Sequence, residues 1–174
     1  MAGYVPVELA YKVIEPVGGT SDKPPIIFLH GVTDSKEYWG DVPQSIANAT
    51  RRKVYLLDAR NHGDSEWSDE FTFDLVSDDL VHFMDKMNIP KGILIGHSMG
   101  GLNVIRTSLK KPEKVLMTIV EDMYVRKLSK EVLDEVVDYA VLFQEANEQM
   151  PYNLDKDGAQ KFIKEYLLSR LPKL

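Results

Sequence analysis

The sequence predicts an α/β fold in which helices cover both faces of a mostly parallel sheet. Short apolar runs without alternation recur along the chain, as expected for strands that are buried on both faces. Stretches with apolar residues at helical spacing separate these runs, and this alternation is typical of parallel sheets. The 174 residues suffice for one domain with a substantial core.

The elements can be assigned in order along the chain. Residues 7–13 alternate between apolar and polar side chains, which predicts a half-exposed strand in an antiparallel edge pair. The predicted buried strands are 26–29, 54–57, 93–95 and 115–120, and the predicted helices between them are 39–49, 75–87 and 102–109.

After Asp122 this alternation ends, and the pattern predicts two consecutive helices, the first with Ser129 as its N-cap. We therefore divide the chain into an α/β core over residues 1–122 and a helical cap segment over residues 123–174. The segment either forms a lid or simply covers the sheet. Active sites of open sheets lie at the carboxyl ends of strands, where this segment begins, and this favours the lid.

Composition excludes several classes of function. The net charge is −6 without a basic run, which argues against nucleic-acid binding, and the lack of cysteine excludes disulfides and thiolate chemistry. Neither a dinucleotide loop nor a phosphate loop is present, and we expect no cofactor and no metal. We expect an intracellular protein, cytoplasmic or mitochondrial, because no targeting signal and no transmembrane segment of roughly 20 apolar residues is visible.

The segment Gly-His-Ser-Met-Gly-Gly, at residues 96–101, carries the strongest functional signal. It follows a predicted strand and opens a predicted helix, which is the context that a Gly-x-Ser-x-Gly nucleophile elbow requires. Ser98 is the candidate nucleophile, and the N–H of Met99 can donate to an oxyanion at the helix N-terminus. The elbow residues around Ser98 are Gly96, His97 and Gly100, and its glycines leave room for neighbouring backbone.

The loops after the first two buried strands supply further candidates. His30-Gly31-Val32 ends the first strand, and the N–H of Val32 is the candidate for a second oxyanion donor. Residues 58–65, Asp-Ala-Arg-Asn-His-Gly-Asp-Ser, follow the second strand. They either line the rim of a pocket or serve structure. We favour structure and expect Asp58 and Arg60 to pin the loop as a charged pair.

Glu121 and Asp122 end the last buried strand. Successive side chains on a strand point to opposite faces, so only one of the two can face the nucleophile. A carboxylate at the end of a strand is placed to orient a histidine, but a solvated acidic loop explains Asp122 equally well. Both interpretations stand on spacing alone.

These motifs resemble the α/β-hydrolase superfamily, and in particular the α/β-hydrolase domain-containing protein 11 group and its small bacterial esterase relatives. The resemblance implies the α/β-hydrolase fold and hydrolysis of small-molecule or lipid esters without a cofactor. It also implies that Ser98 is the nucleophile, that the N–H groups of Val32 and Met99 form the oxyanion hole, and that Asp122 is the triad acid.

The chain departs from this pattern at the triad histidine, which in this fold follows the acid near the C-terminus. The four histidines, at positions 30, 62, 82 and 97, all precede the nucleophile. We therefore expect a truncated serine esterase that is weak or inactive as given, or alternatively a non-catalytic acyl-ligand binding or regulatory protein. We also expect the last core strands of this fold to be absent, which would leave strand 115–120 as an apolar edge that favours self-association.

Overall fold

The computed structural model describes residues 4–124 and 129–170. The chain divides into two compact units, Met1–Val125 and Arg126–Leu174. The first unit contains β1 (Tyr11–Ile14), β2 (Ile26–Leu29), a 3₁₀ helix (Lys36–Trp39), α1 (Val42–Thr50), β3 (Val54–Leu57), α2 (Phe73–Lys86), β4 (Gly92–His97), α3 (Met99–Lys110), a 3₁₀ turn (Pro112–Lys114) and β5 (Val115–Glu121).

The five strands form one sheet in the order β1-β3-β2-β4-β5. β1 runs antiparallel to β3, and the other three pairs are parallel, which confirms the predicted fold class and the antiparallel edge strand. All four residues of both β2 and β3 are buried. β1 is shorter than predicted because β3 offers only four residues for it to pair with.

The core consists of two layers, one on each face of the sheet. Alternate residues of β2 contribute to each: Ile27 and Leu29 pack with α2 and α3, whereas Ile26 and Phe28 pack with Trp39 and α1. Burial of a large apolar side chain contributes about 1.5–3 kcal/mol, so these layers supply most of the stabilisation of the sheet. The sheet is therefore a rigid base for the loops at its carboxyl edge.

β5 forms one edge of the sheet, on the side opposite to β1. Within the part of the chain that the structure describes, β5 pairs with β4 and with no further strand. Leu116, Met117 and Ile119 remain exposed, by 47%, 54% and 44%. An apolar sheet edge is present where the sequence predicted one.

In the second unit the described residues form two helices, α4 (Lys130–Gln149) and α5 (Lys156–Arg170), as predicted for the segment after Ser129. They pack against each other, and Ala146 of α4 and Tyr166 and Leu167 of α5 are buried. No helix in residues 4–124 and 129–170 combines the length and the apolar character needed to cross a membrane.

Candidate active site

Ser98 lies at the tight turn between β4 and α3. Its backbone has φ 47° and ψ −113°, a conformation that a residue with a Cβ rarely adopts. A Cβ added at Gly96 would lie 2.2 Å from the carbonyl oxygen of Gly100, and one at Gly100 would lie 2.1 Å from that of Leu29. Only glycine permits this close approach, so the two glycines allow the strained turn to form.

Backbone hydrogen bonds hold the turn from both sides. The Ser98 N–H donates to the carbonyl of Glu121 at 2.9 Å, and the Gly100 N–H donates to the carbonyl of His30 at 3.1 Å. The elbow is thus tied to the carboxyl ends of β5 and β2. In the described part of the chain, the half-buried Ser98 side chain makes no hydrogen bond. Its Oγ is therefore available to a substrate.

Two N–H groups are candidates to bind an oxyanion near Ser98. Met99 is the first residue of α3, where N–H groups lack an acceptor within the helix. The Val32 N–H belongs to the same peptide group as the Gly31 carbonyl, which accepts from His30 Nδ1 at 2.7 Å and from the Asp34 N–H at 3.2 Å. In a trans peptide the C=O and N–H point in opposite directions, so these bonds fix the direction of the Val32 N–H.

The buried His30 ring is itself held in one protonation state. Its Nε2 accepts a hydrogen bond from the Ala59 N–H at 3.1 Å, which places the ring proton on Nδ1. Burial lowers the pKa of His30 by more than the bond to the Gly31 carbonyl raises it. The neutral ring therefore links the loops that follow β2 and β3.

The predicted pair between Asp58 and Arg60 is wrong. Arg60 instead makes two bonds to Asp79 on α2, from Nε at 2.5 Å and from Nη2 at 2.8 Å, and both side chains are buried. The Asp58 carboxylate accepts from the Lys36 N–H and Nζ, both at 2.6 Å, and from the Asp64 N–H at 2.9 Å. The two charges meet different segments, the 3₁₀ helix for Asp58 and α2 for Arg60, and the chain turns sharply just after Arg60, where Asn61 has φ 61°.

These bonds fix the ionisation of Asp58. Burial raises the pKa of this carboxyl, but the hydrogen bonds from Lys36 and from the Asp64 N–H lower it by more, so the pKa lies below its usual range. Asp58 is consequently a buried anion that joins Lys36 to residues 58–65. Lys36 comes directly after the loop that contains Val32.

His97 lies between two carboxylates. Its Nδ1 is 3.9 Å from Asp34 Oδ2, its Nε2 is 4.0 Å from Asp122 Oδ2, and its ring stacks on Tyr38 with centroids 4.7 Å apart. Asp122 has φ 49° and an 85% exposed side chain. The structure thus brings Asp122 next to His97. Asp34 and Tyr38 were missed at the sequence level, because nothing in their local pattern marks them.

None of the four histidines donates to or accepts from Ser98 Oγ. His30 uses both ring nitrogens elsewhere, and those of His62 lie 2.8 Å from the Arg60 carbonyl and 3.2 Å from the Val32 carbonyl. His82 lies on α2, and His97 faces the two carboxylates. The arrangement thus combines a candidate nucleophile with candidate oxyanion donors, and none of the four histidines is a hydrogen-bond partner of the Ser98 hydroxyl.

Comparison with known proteins agrees with this architecture. The sequence profile of the alpha/beta hydrolase fold family matches residues 24–165. The chain therefore belongs to the α/β-hydrolase fold family, as the motifs indicated. It is similar to a marine microorganism esterase of known structure, with 28% identity and a TM-score of 0.63, over 91% of this chain and 63% of that one.

Named relatives are similar over much of the chain. The sn-1-specific diacylglycerol lipase ABHD11 of Danio rerio is 41% identical over 68% of this chain and 36% of its own length; that of Mus musculus is 33% identical over 68% and 38%. A probable alcohol acetyltransferase of Saccharomyces cerevisiae is 31% identical over 98% of this chain and 55% of its own length. The chain thus spans little more than a third of the two lipases.

Proposed function

We propose that this chain carries the nucleophile and oxyanion hole of a serine hydrolase that acts on carboxylic esters of lipid or acyl substrates. The observation that carries the proposal is the strained turn at Ser98, with two candidate N–H donors, of Met99 and Val32, in the elements next to it. The names of the two lipases and the esterase support an ester substrate.

The chemistry begins with attack of Ser98 Oγ on the carbonyl carbon of the ester. The carbonyl oxygen becomes an oxyanion, which accepts hydrogen bonds from the N–H groups of Val32 and Met99. Collapse of this intermediate breaks the bond to the alcohol, which leaves with the proton that Ser98 lost. Water then attacks the acyl-serine, releases the carboxylic acid and restores the hydroxyl.

Asp122 is the carboxylate that we propose to orient the general base. None of the four histidines of the chain makes a hydrogen bond to Ser98 Oγ and could act as that base. We therefore expect slow turnover from the 174 residues. Oxyanion stabilisation and substrate binding without a complete triad retain about 10³–10⁴-fold catalysis over water. A low but measurable rate that depends on Ser98 is therefore the expected behaviour.

A second candidate function is acyl transfer to an alcohol. The yeast relative that aligns with nearly the whole chain is named as a probable alcohol acetyltransferase. Hydrolysis and transfer share the acyl-serine and differ only in whether water or an alcohol attacks it. Ethanol added to an assay with a butyrate ester separates them, since transfer yields ethyl butyrate in place of butyric acid.

The test is the hydrolysis of p-nitrophenyl butyrate by the chain and by two serine variants. We expect slow turnover that Ser98→Ala abolishes and that Ser45→Ala, at an exposed serine of α1, leaves unchanged. Folded protein without turnover in any variant would contradict the proposal. The alternative of a non-catalytic acyl-ligand binding protein would then be tested with a fluorescent fatty acid.

We also propose that the chain associates with itself through β5. A two-fold axis at the edge of the sheet would place two copies of β5 antiparallel, and their unpaired backbone groups would join the two sheets. The exposed Met117 and Ile119 would then be covered, which removes apolar surface from water.

A further inference from the structure

The loop after β3 is held by a separate anchor for each of its polar residues. Asp58 binds Lys36 and the Asp64 N–H, Arg60 binds Asp79, and Asn61 and Ser68 exchange two hydrogen bonds, at 2.8 Å and 2.7 Å. These contacts fix the loop itself. The contact that His62 makes with the Val32 carbonyl is different, because it reaches the loop after β2, which carries the candidate oxyanion donor.

The position of the His62 ring is set by its own loop. The His62 N–H donates to the Ala59 carbonyl and the His62 carbonyl accepts from the Ser65 N–H, both at 3.1 Å. Its Nδ1 lies 2.8 Å from the carbonyl oxygen of Arg60, and its Nε2 lies 3.2 Å from that of Val32. A ring fixed at one end by its own loop presents Nε2 to the loop that follows β2.

Val32 needs such an anchor because packing does little to hold it. Its side chain is 55% exposed, although its N–H is the candidate oxyanion donor. The peptide group before Val32 is fixed at its carbonyl by His30, as described above. The peptide group after it is contacted at its carbonyl by His62. With both flanking peptide groups held, rotation about the Val32 backbone bonds is restricted.

We propose that His62 is a positioning residue for the oxyanion hole, which acts by donating to the carbonyl of Val32 in the tautomer that carries the ring proton on Nε2. The catalytic consequence rests on the proposed function of Ser98, whereas the contact itself does not. His62 touches no reacting atom. It keeps the Val32 N–H aligned where charge develops in the transition state, so its loss lowers kcat and leaves KM nearly unchanged.

Three substitutions separate this role from mere support of the loop. His62→Gln places an amide N–H₂ near the position of Nε2 and can still reach Val32. His62→Asn places the amide near Nδ1 and keeps only the contact with Arg60. His62→Phe removes both ring nitrogens and therefore both contacts. If His62 only supports its own loop, the Asn variant should resemble wild type more closely than the Gln variant. The proposal requires that the Gln variant resemble wild type more closely.

The first readout uses the whole chain without substrate. The ¹³C resonance of the Val32 carbonyl and the exchange rate of the Thr33 N–H, in the same peptide group, report the contact directly. We expect both to change in His62→Asn and His62→Phe, with exchange at least several-fold faster, and to stay close to wild type in His62→Gln. His82→Asn, at a histidine on α2, is the matched control without effect.

The second readout is turnover of p-nitrophenyl butyrate. We expect kcat to fall about tenfold in His62→Asn and His62→Phe at similar KM, and to stay within about twofold in His62→Gln, since misaligning one donor costs less than removing it. Unchanged Val32 resonances and kcat in all three variants would overturn the proposal. If wild type shows no turnover, the proposed function fails, and the Val32 resonance still decides whether His62 holds the loop.

Discussion

Replacement of Asp58 by asparagine tests the buried anion that joins the two loops beside the candidate active site. The carboxylate is fully buried and accepts three hydrogen bonds, two from Lys36 and one from the Asp64 N–H. Asparagine has nearly the same shape but only one acceptor oxygen. Its amide group must therefore face at least one of these donors, which then loses its partner.

The expected cost follows from these contacts. A hydrogen bond to a charged group contributes about 1.5–3 kcal/mol, and a buried donor left without a partner costs about 1–3 kcal/mol. Loss of the charge beside Lys36 adds to this, as when one member of a buried ion pair is removed. We expect Asp58→Asn to lower the free energy of unfolding by about 3–4 kcal/mol.

Urea denaturation at pH 7 measures this cost, with Asp64→Asn as the matched control. The Asp64 carboxylate accepts from the same Lys36 Nζ, at 2.5 Å, but its side chain is 81% exposed. An exposed pair contributes little, so we expect this control to cost no more than about 0.5 kcal/mol. Equal effects of the two substitutions, or a cost below 1 kcal/mol for Asp58→Asn, would refute the reasoning.

The same substitution makes a prediction about pH. Because the folded-state pKa of Asp58 lies below its ordinary value of 3.8, the unfolded chain takes up the proton first as the pH falls. The stabilisation from the ionised carboxylate is therefore complete above that value and is lost as the pH falls through the lower, folded-state pKa. The difference in stability between wild type and Asp58→Asn should shrink over this acid range.

Three further predictions concern the elbow, the second buried ion pair and the sheet edge. Gly100→Ala should destabilise the fold by more than about 3 kcal/mol in urea, because its Cβ would lie 2.1 Å from a backbone oxygen; an unchanged midpoint would contradict this. Asp79→Leu should cost about 3–5 kcal/mol by stranding Arg60, and the double variant with Arg60→Leu should cost less than the two single variants summed; strict additivity would argue against coupling. Met117→Lys should reduce self-association in analytical ultracentrifugation, whereas Leu109→Lys on the exposed face of α3 should not; a monomeric wild type at all concentrations would exclude the β5 interface.

The parts that could be predicted from sequence are those determined locally. β2 and β3 are apolar at every position, so their burial on both faces was evident from the runs themselves. The turn at Ser98 was equally recognisable, because its glycines and its setting between strand and helix lie within a few residues. The start of α3 at Met99 followed from the elbow, although the apolar spacing begins only at Leu102, since Gly100 and Gly101 give no apolar signal for the first turn.

The polar partners could not be predicted in the same way. Arg60 and Asp79 are 19 residues apart, and Lys36 and Asp58 are 22 apart, so their pairing depends on how α2 and the loops meet in three dimensions. The sequence suggested a pair between neighbours, Asp58 and Arg60, because both charges lie in one short motif. In the structure each charge has a different, distant partner, Lys36 for Asp58 and Asp79 for Arg60.

The bond from the Ser98 N–H to the carbonyl of Glu121 ties the candidate nucleophile to an edge strand of the sheet. Within the described chain β5 pairs with a strand on one side only, and an edge strand can open locally while the central strands stay paired. Fraying of β5 would release the elbow while β2 and β3 stay closed. The positioning of Ser98 would then depend on the opening of one edge strand and not on global unfolding. Hydrogen exchange along residues 115–121 would measure that opening.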